Sequence, residues 1–161
     1  MATLRWEPMP ALVTARAGPA CCAVRGTLVV LGGETPVEDV DPISSEVEIL
    51  SSGAFVDLPQ LSRGGIQGAA AIEVDESDSV AGQVLLLGGE DLLPDDDEYE
   101  DVLSTVHLVD LATGACAQQP DLLHSRVRHA AARLPDGRII CAGGYDAAYA
   151  DLSQAEVWGP L

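Results

Sequence analysis

Apolar and polar positions follow the same order three times along the chain. A run of small residues comes first, then an aliphatic run that ends in two glycines, and then a serine-led run that alternates apolar with polar residues. Nearly continuous aliphatic runs are typical of strands buried on both faces, whereas alternation is typical of half-exposed strands. The pattern therefore predicts at least three strands in each of three repeated units.

Glycines set the register of the repeat. The pairs Gly32–Gly33, Gly88–Gly89 and Gly143–Gly144 recur about 55 residues apart, each directly after an aliphatic run. Glycine allows positive φ and close approach of another backbone, so each pair predicts a crowded strand end. The predicted strands are 19–24, 28–31 and 45–50 in the first unit, 68–74, 84–87 and 104–110 in the second, and 129–134, 139–142 and 153–158 in the third.

A fourth element carries a bulky residue four positions before a proline. Phe55 precedes Pro59 and Cys116 precedes Pro120 in this way, and the remaining copy is N-terminal, where Trp6 precedes Pro10. The N-terminal strand is therefore expected to complete the C-terminal sheet, as in a circular array that hides its ends. The predicted units are approximately 17–61, 62–122, and 123–161 plus 4–12.

These residues resemble the kelch repeat, a four-stranded blade of a β-propeller. The resemblance implies an all-β fold of kelch-like β-propeller blades, three four-stranded antiparallel units in a single domain spanning 1–161. The middle unit departs from the family pattern, because Cys116 replaces the aromatic residue and an insertion occupies 75–82. We therefore expect the middle blade to be the least tightly packed.

The number of blades leaves three arrangements open. Closed propellers have roughly four to eight blades, and this sequence supplies three. The chain is a fragment of a longer propeller, an open three-blade arc, or half of a head-to-tail homodimer that closes a six-blade ring. In the homodimer, each seam is closed by the partner's Trp6 strand.

Charge and cysteine content restrict the function further. The net charge is −18, and all eight basic residues are arginines. Such a chain repels nucleic acid and anionic membranes, and without lysine it has neither a P-loop nor a Schiff-base lysine. No apolar run reaches the roughly 18 residues of a membrane span, and the four cysteines lack metal-binding spacing. We expect a cytoplasmic protein with reduced thiols and no cofactor.

The most acidic stretch, residues 90–101, links the second and third strands of the middle unit. One interpretation is a calcium site or a dock for a basic peptide, and the other is a solvated loop. The alternation of carboxylates fits a calcium loop only in part, because no glycine follows. The candidate binding residues in this stretch are Asp95, Asp96, Asp97 and Glu98.

Three arginines, Arg16, Arg63 and Arg126, precede the first strand of each unit. They are candidates for a ring at the channel mouth that binds a carboxylate in bidentate fashion. Alternatively, they brace neighbouring blades by pairing with backbone carbonyls or with acids such as Glu48 and Glu156. Recurrence in every unit favours the bracing role.

Arg128 and His129 are not repeated, so they are candidates for a specific contact. Together with the acidic loops, the resemblance implies a non-catalytic interaction module that binds a protein partner with a basic segment. The alternative is a kelch-type oxidase or epimerase with its site at the channel mouth near these two residues. Substrate-receptor roles in ubiquitin ligases, known among kelch-like proteins, remain an analogy.

Overall fold

A computed structural model describes residues 5–36, 43–74, 82–93 and 96–159. This part of the chain contains strands and no helix, which confirms the all-β prediction, and it holds no helix long and apolar enough to cross a membrane. The strands are β1 (Ala20–Val24), β2 (Thr27–Leu31), β3 (Val47–Ser51), β4 (Ala54–Leu58), β5 (Ala70–Val74), β6 (Gln83–Leu87), β7 (Glu90–Leu93), β8 (Asp96–Val102), β9 (Val106–Asp110), β10 (Cys116–Gln119), β11 (Ala130–Arg133), β12 (Ile139–Ala142) and β13 (Ala155–Trp158).

The strands form three antiparallel sheets in series, a propeller-like arrangement. The first sheet has the order β1-β2-β3-β4 and the second has the order β5-β6-β9-β10. The third sheet contains only β11-β12-β13, and β7 and β8 form a separate hairpin between β6 and β9. Each strand predicted from the aliphatic, small-residue and alternating runs is present, with bounds that differ by two residues or fewer.

Two-residue turns join neighbouring strands of the first sheet. Arg25 and Gly26 connect β1 to β2 with φ values of 51° and 78°. Ser52 and Gly53 connect β3 to β4 with φ values of 50° and 86°. Positive φ at both turn residues is the geometry that matches the twist of antiparallel strands, so these pairs fix the register of the hairpins.

The glycine pairs lie where one sheet contacts the next. A Cβ atom on Gly32 would lie 2.1 Å from the carbonyl oxygen of Ile66, in the segment that enters the second sheet. The Gly33 N–H donates to that same oxygen at 2.8 Å. In the second sheet, Gly88 and Gly89 meet the Arg126 carbonyl in the same way, at 2.5 and 2.9 Å. Only glycine fits at Gly32 and Gly88, so the pairs mark junctions between sheets.

The core consists of two layers between the three sheets. Successive side chains of β6 point to opposite faces, so Val84 and Leu86 pack toward the first sheet and Leu85 and Leu87 toward the third. All four are at most 1% exposed. The expectation that the middle unit is the least tightly packed is therefore wrong, because neighbouring sheets cover both of its faces.

The N-terminal segment does not complete the third sheet of its own chain. Residues 5–12 form no strand, and Trp6 is fully exposed at 102%. The segment leads directly into the first sheet, and the second sheet lies between the first and the third. The predicted pairing of 4–12 with the C-terminal strand is therefore wrong within one chain, with residue 4 lying outside the described part.

Candidate interaction surface

A buried ion pair connects the segment that enters the third sheet to the last strand. Arg126 donates from Nη2 to Glu156 Oε1 at 2.6 Å and from Nη1 to the Gly143 carbonyl oxygen at 2.8 Å. The Arg126 side chain is completely buried. The Glu156 carboxylate also accepts the backbone N–H groups of Leu123 and His124. We call this arrangement an arginine clamp.

The first sheet contains the same clamp. Arg16 donates from Nη2 to Glu48 Oε1 at 2.6 Å and from Nη1 to the Gly32 carbonyl oxygen at 2.9 Å. The backbone N–H groups of Val13 and Thr14 donate to the Glu48 carboxylate. Both side chains of the pair are fully buried. The predicted partners, backbone carbonyls with Glu48 and Glu156, are present for Arg16 and Arg126. Each arginine pairs with its own sheet, so the predicted bracing between neighbouring blades is wrong for these two side chains.

Neighbouring groups keep the Glu156 carboxylate, the acid of the clamp in the third sheet, ionised. Burial raises the pKa of Glu156, but hydrogen bonds from Arg126, the Leu123 N–H and His124 outweigh it and leave the pKa below its ordinary value. His124 takes part through Nδ1, which lies 3.2 Å from Glu156 Oε1. The carboxylate is therefore a charged structural element at neutral pH.

The second sheet lacks the clamp, and Arg63 is not equivalent to the other two arginines. The carbonyl of Ile66, like that of Arg126, accepts a glycine N–H from the preceding sheet, so Ile66 holds the clamp position. His107 stands where the other sheets have glutamate. Arg63 instead donates to the Gly65 carbonyl at 2.7 Å and to Asp91 at 3.0 Å. The predicted three-fold recurrence is wrong because Arg63 lies three residues before Ile66, which holds the position of Arg16 and Arg126.

The acidic stretch forms the β7–β8 hairpin rather than a loop. Glu90 pairs with Val102 and Asp91 with Asp101 at its base. The Leu103 N–H donates to the Gly89 carbonyl at 2.8 Å, which fixes the hairpin beside the glycine pair. Asp95 and the side chains of Asp96, Asp97 and Glu98 lie outside the described residues, so the calcium interpretation stays untested.

Arg128 is presented at the surface beside the hairpin. Its guanidinium lies 5.7 Å from the centre of the Tyr145 ring, which stacks on Tyr149 at 5.6 Å. Nη2 lies 4.0 Å from Glu90 Oε1, and the Arg128 side chain is 68% exposed. An arginine above an aromatic ring is partly fixed in place while its donors stay accessible. Sequence reasoning missed the two tyrosines, although Tyr145 replaces the glutamate that follows the other glycine pairs.

His129 lies in a different environment. Its ring contacts the position that a Cβ of Gly88 would occupy, at 3.1 Å from Cε1, and both buried ring nitrogens lack hydrogen-bond partners among the described residues. Burial, with a smaller contribution from Arg126, lowers its pKa to about 4. Arg128 and His129, adjacent in sequence, therefore do not share one site.

Carboxylates are frequent at the end of the sheets that carries the glycine pairs. We define this loop surface as the segments that follow the three glycine pairs, including the β7–β8 hairpin. Its acids with described side chains, apart from the buried Glu90, are partly or fully exposed. They are Glu34, Glu46, Asp91, Asp101, Asp146 and Asp151.

No protein-family model matches this chain, and a search of curated proteins finds no match. Among the described side chains, no group of three or more histidine, cysteine, aspartate or glutamate residues is arranged to hold a metal ion. The kelch resemblance therefore depends on the repeat pattern and on the series of antiparallel sheets.

Proposed function

We propose that the chain is a non-catalytic, kelch-like protein-interaction module whose loop surface binds a basic segment of a protein partner. The observation that carries this proposal is the β7–β8 hairpin. It holds the described residues of the most acidic stretch in paired strands beside the second glycine pair, to which the Leu103 N–H is bonded.

Anchoring of the hairpin supports a binding role. Asp91 is tied to Arg63 on one side, and on the other side Arg126 donates its N–H to the Leu103 carbonyl at 3.0 Å. The hairpin base is thus connected to the segments that enter the second and third sheets. Binding to an ordered hairpin base costs the protein less conformational entropy than binding that must first order a free loop.

The charges favour a basic ligand. The loop surface carries exposed carboxylates from all three units, and the whole chain has a net charge of −18. Complementary potentials accelerate association and suppress acidic competitors. Arg128 and the stacked Tyr145 add one cation and an aromatic face, which suit a partner that also carries a carboxylate or an aromatic residue beside its basic groups.

The experiment compares two triple variants of equal charge. One, the hairpin variant, carries Asp95→Asn, Asp96→Asn and Asp97→Asn in the acidic stretch 90–101. The control carries Asp57→Asn, Asp121→Asn and Asp136→Asn at exposed positions elsewhere. Binding of a fluorescent nona-arginine peptide is measured by anisotropy at 150 mM salt. Each variant lowers the net negative charge by three, so general attraction changes equally in both.

The hairpin variant is expected to bind the peptide at least ten-fold more weakly than the wild type, and the control less than three-fold more weakly. Equal losses in the two variants would show that only the total charge matters and would overturn the proposal. An unchanged circular dichroism spectrum and melting temperature serve as the check that both variants retain the fold.

A further inference from the structure

The two outer faces of the sheet series carry exposed apolar side chains. We call the face of a sheet that is directed toward the preceding sheet its leading face, and the opposite one its trailing face. Inside the chain, the trailing faces of the first and second sheets are covered by the sheets that follow. No sheet among the described residues covers the leading face of the first sheet or the trailing face of the third, although residues 13–16 cover Glu48 and Val30 on the leading face.

The trailing face of the third sheet repeats a surface that is buried elsewhere. Ala142 occupies the position of Leu31 and Leu87, which are both at most 1% exposed, yet Ala142 is exposed. Val157 lies opposite Ile140 on the same face and is 55% exposed. The exposed face therefore has the composition of an inter-sheet contact surface.

The leading face of the first sheet is its counterpart. Leu28 and Val30 hold the positions of Val84 and Leu86, which pack against the preceding sheet. Leu28 is 38% exposed, whereas Val84 is fully buried. The difference follows from the missing neighbour, because the strands themselves are paired in the same way.

Gly143, in the third glycine pair, lacks the contact with a following unit that Gly32 and Gly88 make. Cβ atoms on Gly32 and Gly88 would collide with a carbonyl of the next unit, but nothing lies within 4 Å of that position at Gly143. The carbonyl that would fit there belongs to the residue equivalent to Ile66 and Arg126. By register that residue is Arg16, which enters the first sheet.

An unpaired strand edge completes the correspondence. β4 and β10 flank β3 and β9, but no strand of the described residues flanks the outer edge of β13. Phe55 pairs with Leu50 and Cys116 with Val109, and the same spacing places Trp6 opposite Trp158. Trp6 is solvent-exposed on a segment that pairs with no strand, as expected of an outer strand whose neighbouring strand is not beside it.

We propose that two copies of this chain associate head to tail and close a ring of six units. The leading face of one copy covers the trailing face of the other, Arg16 contacts Gly143, and the Trp6 segment of each copy becomes the outer strand beside the other's Trp158. A second copy fits these outer faces because the same junction between one sheet and the next already occurs twice inside the chain. When the same rotation relates each sheet to the next across two chains, the six sheets form a closed assembly.

The first test is the mass of the 161-residue chain by sedimentation equilibrium at about 50 µM. The expected value is twice 16.7 kDa. Ala142→Arg places a long cation on the trailing face and is expected to give a monomer, although it reduces the repulsion between the acidic chains. Ala112→Arg, at an exposed turn of the second sheet, makes the same charge change and is expected to leave the dimer intact.

Complementation tests the head-to-tail geometry. Leu28→Arg damages the leading face only, and Ala142→Arg damages the trailing face only, so each variant alone is expected to be monomeric. An equimolar mixture retains one undamaged pair of faces and is expected to form heterodimers. An association in which the same patch meets itself would not be rescued by mixing.

A monomer at 50 µM, a larger open assembly, or a dimer that survives Ala142→Arg would overturn the proposal. Raising the salt concentration from 50 to 500 mM is expected to strengthen the dimer, because screening weakens repulsion between chains of net charge −18. Weakening of the dimer by salt would contradict the apolar contact that the proposal describes. The test does not depend on the proposed peptide binding, which is measured separately.

Discussion

Arg126 and Glu156 form a completely enclosed ion pair, with Nη2 and Oε1 2.6 Å apart, that ties the start of the third sheet to its last strand. Substitution of Arg126 by methionine would leave the Glu156 carboxylate buried without its cation, although two backbone N–H groups still bind it. Breaking such a pair typically costs about 3–5 kcal/mol, and we expect a loss near the lower end. Urea unfolding at fixed protein concentration measures the change.

Arg138→Met is the matched control for this first prediction. Arg138 pairs with Asp136 in an exposed turn, where solvent screens the charges, so its loss is expected to leave the unfolding midpoint nearly unchanged. A similar midpoint shift in both variants would contradict the assignment of Arg126 as a clamp.

His129 is expected to make stability depend on pH below neutrality. Its pKa is about 4 in the folded chain and 6.5 in the unfolded chain, so the unfolded state binds the extra proton first. The contribution is therefore fully present above pH 6.5 and is lost as the pH falls toward 4. We expect a decline of about 2–3 kcal/mol across this window, and His129→Leu should flatten it.

Other titratable groups also contribute to the dependence of stability on pH. Burial, with a smaller effect of Arg63, also lowers the pKa of His107, so part of the slope should remain in the variant. Glu156 has a lowered pKa and contributes only below its ordinary value of 4.5. An unchanged slope between pH 6.5 and 4.5 in His129→Leu would contradict the prediction.

Gly32→Ala is expected to destabilise the chain far more than Gly26→Ala. Both glycines have positive φ, so alanine is strained at either position by about 1–2 kcal/mol. Only at Gly32 does the new Cβ collide with a backbone atom, the Ile66 oxygen, whereas nothing lies within 4 Å at Gly26. We expect at least about 2 kcal/mol of additional loss at Gly32 from chemical denaturation. Equal losses would show that backbone strain alone explains both glycines.

The four free thiols are expected to react at different rates. Burial, together with Cys21 and Glu73, raises the pKa of Cys22 to about 12, and burial also raises the pKa of Cys141. Cys21 is exposed, so iodoacetamide at pH 8 should modify it well before Cys22 and Cys141. Peptide mass spectrometry of timed samples gives the order, and urea-denatured protein is the control. Early labelling of Cys141 would contradict the described packing.

The strands were predictable from the sequence because glycines and other turn residues mark where each strand begins and ends. The predicted strand 139–142 matches β12 at both ends, since Gly137 precedes it and a glycine pair follows it. Turn residues and strand patterns act over a few positions, and the antiparallel meander then pairs neighbouring runs.

Placement of Arg63 failed for a different reason. Arg63 follows Pro59 by four positions, whereas Arg16 and Arg126 follow their prolines by six, so the shared residue type hid a difference in position. Only the hydrogen bonds between sheets show that Ile66 takes the place of Arg126. A polar side chain in an irregular segment does not reveal from sequence whether it points inward.

Pairing between distant segments was equally inaccessible. The β7–β8 hairpin contains few of the β-branched residues that signal a strand, and its base depends on contacts to Arg63 and Gly89. The stacking of Arg128 on Tyr145 joins two segments that lie in different strand connections. Such contacts depend on how the sheets are arranged, and the repeat pattern does not specify it.

The two-layer core has a consequence for how the chain opens. Each sheet is built from a contiguous part of the sequence, so its internal hydrogen bonds form locally and the apolar layers join only adjacent sheets. Detachment of the first or the third sheet disrupts one of the two apolar layers, whereas exposure of β6 requires the disruption of both layers. In a single chain, such as the monomeric Ala142→Arg variant, backbone amides of β6 should therefore exchange with deuterium last, at the rate of global unfolding, while those of β12 exchange earlier through partial opening.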